Sequence, residues 1–558
     1  MPGRKLHPPE RVAEYTSRGW WSQDTMDALL RAQVARQPDR LAVVDPANKT
    51  ALVGTEPRRL TWGELDASTN RLARVLLDLG AEPGDVLAVQ LPNTVELVVA
   101  YLAAWRIGLI VTPFPVQFRE HEIVALAELA DAKFYLTADR IGDRAHAAEF
   151  AGYNLPGVVL AHGAELPEGV LPADALMAAA DGSTVEAHEA DPNDCVTICW
   201  TSGTESTPKG VPRSHYDWLA ICWATVEAPR LTEDDVLLNP FPMVNMAGIN
   251  GMFLPWLRVG CILVQHHPFD LPTFLAQITA ERATYTVAPP ALLTLLLQRD
   301  ELLAAADISS LKQIGSGSVP LAPPMVRGWQ ERHGIGIINF FGSNEGISLL
   351  TDPHDVPDPE QRARYFPRYG VPGYTWSSRV TEWTTVRLVD PATGDEVTEP
   401  GVPGELRLKG PTVFAGYLHG ERLASPFDEQ GYLRTGDVFV IAGDDGQFLE
   451  YVDRAKDLVI RGGMNIAPAE LEGLIAAHPA VADVAVVGYP DEVLGERVCA
   501  VVVPREGREL DLAGLVEFLK DQRIASYKLP ERLELRQALP RNPVGKVLKR
   551  SLREEINA

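Results

Sequence analysis

Between about residues 60 and 300, stretches with helical spacing of apolar positions alternate with short continuous apolar runs, "VLAVQL" (86–91), "VVLAH" (158–162), "CVTICW" (195–200) and "CILVQH" (261–266). Runs this short read as strands buried on both faces, and their alternation with helices predicts an α/β fold with a largely parallel sheet. The segment "ELVVAYLAAWRIGLIVTPFPV" (96–116) has the length of a membrane span. Arg106 interrupts it, and the stretch from Gly108 to Thr112 turns β-branched, so a buried helix running into a buried strand is expected instead. From about 380 to 450 the pattern changes to short strands and turns, as in "TTVRLVDPATGDEV", "GELRLKG" and "QFLEYVDR", which predicts a small β-rich subdomain. A compact strand, helix, strand pattern then runs to the end. The expected organisation is a large N-terminal domain of layered α/β subdomains over 1–454 and a small α+β domain over 455–558, with the boundary at Arg454 to Lys456. The acidic stretch 163–194, rich in Ala and Gly, reads as a surface excursion.

Length supports this division, because 558 residues exceed what one hydrophobic core holds. A net charge of -24 argues against a nucleic-acid or anionic-membrane partner, although an anionic small ligand needs only a few local donors. Five cysteines (Cys195, Cys199, Cys222, Cys261, Cys499) lack metal-ligand spacing, and "MPGRKLHPPERVAEY" has no apolar stretch behind its basic residues. Buried free thiols and a cytoplasmic location are expected, for a monomer or homodimer.

Candidate chemistry begins at "TSGTESTPKG" (201–210), a polar loop between the apolar run 195–200 and a helix for which Ser214 is a plausible N-cap. Strand, polar loop and helix together bring backbone N–H groups toward an anion. The ordinary Walker loop is not matched, since Pro208 stands before the lysine and Gly210 after it. Glu205 puts a carboxylate where an anion would sit, and it could turn to solvent or pair with Lys209 or Arg213. At Ser206 a backbone needing positive φ would cost ~1 kcal/mol. Four further stretches follow in order: "NFFGSNEG" (339–346), "GYLRTGD" (431–437), which presents Asp437 after a tight turn, "DRAKDLVIRGGMNIAPAELE" (453–472) and "LPRNPVGKVLKR" (539–550).

Together these five resemble the adenylate-forming superfamily of acyl-CoA synthetases, aryl acid ligases, nonribosomal adenylation domains and luciferases, over about residues 25 to 550. The resemblance implies ATP and Mg²⁺ as cofactors and coenzyme A as co-substrate. It implies that Thr201, Ser202, Gly203, Thr204 and Lys209 cradle the β- and γ-phosphates, and that Thr204 and Glu345 help hold Mg²⁺. Phe341 stacks on adenine in this scheme, and Gly342 and Asn344 of the same motif also bind the nucleotide. Asn339 meets the adenine amino group, and Ser318, Val319 and Pro320, after Gly317, form the opposite wall. Asp437 accepts from the ribose hydroxyls with help from Arg454. Lys546 brings the catalytic positive charge to the α-phosphate and the carboxylate, Lys456 is the hinge, and Gly463 lets a pantetheine arm pass.

The acid site is expected in "NPFPMVNMAG" (239–248). Relatives often carry an aromatic residue and histidine where this chain has Val244 and Asn245. The segment 211–218 resembles aryl acid ligases, but Met246 replaces the asparagine expected next to the histidine. A wall of Val244, Met246 and Ile249 predicts a hydrophobic acid, alicyclic, aromatic or medium-chain, with Asn245 and Gly317 also expected at the acid. No carrier domain follows Lys546, which favours coenzyme A over a separate carrier protein as acceptor. A catalytically inactive nucleotide-binding homologue is the remaining alternative, given Glu205, Ser206 and Asn344 where the family usually has Thr, Gly and Thr.

Overall fold

The computed structural model describes residues 5–181, 183–201, 208–455, 457–461, 464–491, 493–522, 524, 526–542 and 545–557. It divides into two compact units, Met1–Thr385 with Lys409–Pro426, and Val386–Leu408 with Phe427–Ala558. The first contains two sheets of the expected kind. In the seven-stranded sheet the spatial order is Leu171–Pro172, Val158–His162, Ala132–Ala138, Val86–Val89, Ile110–Pro113, Cys195–Thr201 (β1) and Lys209–Ser214 (β2). All of its pairings are parallel except the β1–β2 hairpin. After β2 comes helix α1, His215–Glu227.

The eight-stranded sheet is built around Val236–Asn239 (β3), Gln313–Gly317 (β4), Gly336–Gly342 (β5) and Ser348–Thr351 (β6). Its order is β6, β5, β4, Tyr285–Val287, β3, Ile262–Gln265, Leu41–Val44 and Arg59–Thr61. It is parallel except at its two edges. The short helix α2, Met246–Gly248, follows β3 and continues into a π-helical turn at Ile249–Phe253.

The apolar stretch 96–116 is a helix, Val95–Arg106, buried on every side, followed by the strand Ile110–Pro113. Arg106 is tolerated there because its guanidinium donates to Asp27, Asp66 and Asn70 at 2.7–2.8 Å, leaving no buried charge unpaired. Among the described residues no helix is long and apolar enough to cross a membrane. All five cysteines are buried and outside any disulfide.

The second unit has an antiparallel sheet that includes Leu433–Ala442 (β7) and Phe448–Arg454 (β8). A further sheet includes Val459–Arg461, Val481–Asp491, Gly495–Pro504 and Arg532–Leu535. Helices Pro468–Ala476 and Leu512–Asp521 share one of its apolar clusters, and helix Lys549–Asn557 contributes Leu552 and Ile556 to another.

Candidate active site

The polar loop at 201–210 joins two strands, not a strand and a helix. Thr201 pairs with Lys209 across the β1–β2 hairpin, and α1 begins beyond it, capped by Ser214 Oγ on the Asp217 N–H at 3.3 Å. The helix N-terminus therefore starts six residues past Lys209 and cannot be the anion-binding end of the loop. β2 is an edge strand, the place where a sheet accepts Pro212, and Gly210 lets Leu418 pack within about 3 Å of where a Cβ would lie. Thr201 Oγ1 reaches Lys209 O at 3.4 Å. The expected Ser202, Gly203 and Thr204, with Glu205 and Ser206, lie outside the described residues, as do Lys456 and Gly463.

Lys209 and Glu345 converge on one aromatic side chain. The Lys209 ammonium lies 5.1 Å from the centre of the Tyr417 ring, and Tyr417 donates to Glu345 Oε1 at 3.0 Å. Glu345 stands in the turn between β5 and β6, and this turn is fastened to segment 411–414. Phe414 N donates to Glu345 O at 3.0 Å, and Thr412 Oγ1 to Gly346 O at 3.0 Å. Gly346 has φ +110°, and a Cβ there would fall 2.1 Å from Thr412 O, so glycine is required for this approach.

Behind the turn lies a buried charged network. Arg213, fully enclosed on β2, donates from Nε to Asp217 Oδ1 (2.8 Å), from Nη1 to Asn344 O (2.8 Å) and from Nη2 to Thr412 O (3.0 Å). Asp217 also accepts from His7 Nε2 at 3.1 Å. A carboxylate only accepts, so that ring nitrogen carries the hydrogen. Burial opposes ionisation of Asp217, but Arg213 and His7 outweigh it and hold its pKa below the ordinary value. The pKa of His7 is also held low, mainly by burial. Arg213 is therefore committed to this network. The N-terminal segment braces the same region: Arg11 Nη2 donates to Gly410 O and Val413 O, and Trp21 Nε1 to Pro411 O.

The residues expected around adenine come together at the carboxyl ends of neighbouring parallel strands, where open α/β sheets bind ligands. Ser316 pairs with Asn339, and Gly317 with Phe340. Gly317 needs its missing side chain, because a Cβ would lie 2.2 Å from Phe340 O. Ser318 has φ +73°, a strained conformation for serine, and Ser318, Val319 and Pro320 are exposed. Asn339 Nδ2 donates to the carbonyls of Arg362 and Ala363, which fixes the amide and turns Oδ1 away from them as the acceptor. Phe341 is half-buried, with its ring 5.8 Å from that of Phe366, and Gly342 is exposed.

In the expected acid site, Val244 is buried and Met246 half-buried, with Met246 Cγ 3.8 Å from where a Gly342 Cβ would lie. Asn245 is the N-cap of α2, its Oδ1 accepting from Ala247 N at 3.0 Å. The Met246 N–H goes to Asn344 Oδ1 at 2.7 Å. Ile249 is completely buried in the main core, so it backs this wall. Arg213, Asp217, Tyr417 and Thr412 were not among the expected site residues; Arg213 and Asp217, at i,i+4 spacing beside the loop, were the pair that local reading could have singled out.

In the second unit, Asp437 sits inside strand β7, not after a turn. Gly436, at φ +70°, precedes it, and the β7–β8 register slips between Val438 and Phe439. Asp437 lies opposite Arg454, whose Nε reaches its Oδ1 at 2.6 Å. Lys546 follows a turn in which its N–H donates to Asn542 Oδ1 at 2.9 Å. Desolvation and then the charge of Arg454 hold its pKa below that of an ordinary lysine, with Asp437 and Asp457 opposing.

Residues 30–418 match the AMP-binding enzyme family, and residues 470–546 match the AMP-binding enzyme C-terminal domain. The medium-chain fatty-acid–CoA ligase of Escherichia coli is 30% identical, over 98% of this chain and 93% of that protein. The salicyl-AMP ligase / salicyl-S-ArCP synthetase of Mycobacterium tuberculosis is 31% identical over 98% and 94%. The crystal structure of ATP-bound MatB from Rhodopseudomonas palustris superposes with a TM-score of 0.77 at 28% identity, covering 95% of this chain and 98% of that one. The family-model matches and the similarity over nearly the whole chain lead to one conclusion: the chain belongs to the AMP-binding enzyme family of adenylate-forming acid ligases.

Proposed function

We propose that the protein activates a hydrophobic carboxylic acid with ATP and transfers the acyl group to coenzyme A. A carboxylate oxygen attacks the α-phosphorus, the bond to the β-phosphate oxygen breaks, and pyrophosphate leaves with those electrons. The coenzyme A thiolate then attacks the acyl carbon and AMP departs. Attack of one anion on another demands charge neutralisation and positioning above all. Lys546 supplies the mobile cation and Lys209 a fixed one. Asn339 Oδ1 suits the adenine amino group, which is a donor, and Asp437 suits the ribose hydroxyls.

Glu345, with Thr204, would hold Mg²⁺, a hard cation that takes carboxylate and hydroxyl oxygens, and Tyr417 orients the carboxylate from one side. When bound, the ion neutralises phosphate charge. Lys456 would serve as the hinge and Gly463 as the pantetheine passage.

The acid preference rests on one observation: Val244 and Met246 are apolar, while the amide oxygen of Asn245 is already used to cap α2. The test is a single turnover in which the acyl adenylate is formed and then challenged with thiols. Discharge by coenzyme A supports the proposal. Resistance to coenzyme A, with discharge by a carrier protein, would replace it with loading of a carrier protein, the activity for which the mycobacterial relative is named.

A further inference from the structure

Two parts of the site meet at Asn344. The first amides of a helix have no partner within it, and in α2 the Met246 N–H is taken by Asn344 Oδ1 at 2.7 Å and the Ala247 N–H by Asn245 Oδ1 at 3.0 Å. The carbonyl of Asn344 is held by Arg213 at 2.8 Å. Glu345, one residue on, is fixed through both its backbone and its carboxylate. Any displacement of the turn that carries Glu345 must therefore move Asn344, and with it either pull on α2 or release its first N–H. Met246 connects the same parts by packing, through its contact with the Gly342 position at the end of β5.

We propose that Asn344 is a positioning residue that couples the wall of the acid site to the carboxylate at position 345, so that acid and metal-bound nucleotide each bind more tightly when the other is present. The inference rests on the reading of Val244 and Met246 as the acid wall and of Glu345 as the metal ligand. Asn344 acts here through Met246 and Glu345. Coupling between two sites is reciprocal, and one hydrogen bond of ordinary net strength corresponds to about a fivefold change in affinity.

Hydrogen–deuterium exchange of the full chain, with and without Mg²⁺ and ATP and with no acid present, gives the test. In the wild-type protein the nucleotide is expected to slow exchange at 343–346 and also at 246–249. In Asn344→Ala it is expected to slow exchange at 343–346 alone. In acid-dependent ATP–pyrophosphate exchange, the ratio of the ATP KM at low acid to that at saturating acid is expected to fall about fivefold in Asn344→Ala, a change that a purely structural role would not produce. Protection at 343–346 with none at 246–249 in the wild-type protein overturns the coupling and leaves the proposed function standing. Absence of any nucleotide effect at 343–346 overturns both.

Discussion

The buried network around Arg213 makes the strongest quantitative demand on the chain. Its guanidinium has no exposed surface and satisfies the Asp217 carboxylate and two backbone carbonyls, those of Asn344 and Thr412. Arg213→Met keeps much of the volume but leaves a carboxylate buried with only His7 and the Ser214 N–H as donors. Removing one partner of a buried pair costs about 3–5 kcal/mol, most of it from the charge left behind. The cost should therefore shrink when that charge is also removed. In equilibrium urea unfolding, Arg213→Met is expected to destabilise the first unit by about 3–5 kcal/mol. In the Asp217→Asn background the same substitution should cost at least about 1 kcal/mol less, which is the coupling of a contacting pair. Singles that sum to the double mutant, or an Arg213→Met cost below about 1 kcal/mol, would refute the idea that this network holds the Glu345 turn through charge pairing.

Lys546→Ala is expected to lower acid-dependent ATP–pyrophosphate exchange by about a hundredfold or more while leaving ATP binding measurable by calorimetry. Tyr417→Phe removes the hydrogen bond to Glu345 and is expected to raise the Mg²⁺ concentration for half-maximal exchange about tenfold. Burial, the largest influence in each case, depresses His215 to about 3, His146 to about 4 and His267 to about 4. Each folded pKa lies below the unfolded one, so the unfolded chain binds more protons. Stability is therefore whole above about pH 6.5 and falls toward pH 4 by up to about 1.4 kcal/mol per pH unit per histidine, a slope readable in urea midpoints across that range.

Much of the site was legible because its motifs are local. Asn339, Phe341 and Glu345 lie within seven residues at the end of β5, where a strand leads into a turn, and the hydrophobic pattern alone marks that strand. The stretch 209–214 was harder. Gly210 and Pro212 are poor strand residues, and what makes it a strand is its pairing with β1 at a sheet edge, a tertiary fact. Likewise, Asp437 looked like a turn residue because Gly436 precedes it, whereas strand pairing on both sides of β7 carries the chain straight through. The bonds of Arg213 to Thr412 and of Asn344 to Met246 span 199 and 98 residues, and no local spacing encodes them. Asn344 illustrates the point well. As a departure from the family pattern it suggested impaired chemistry, yet in the fold its amide oxygen caps the helix that carries Met246.

The central claim, activation of a hydrophobic acid through an adenylate, is tested most directly by ATP–pyrophosphate exchange against a panel of alicyclic, aromatic, medium-chain and short polar carboxylic acids. The account predicts exchange that requires an apolar acid and is lost in Lys546→Ala. Exchange supported best by short polar acids would contradict the reading of Val244 and Met246, and no exchange with any acid would contradict catalysis itself.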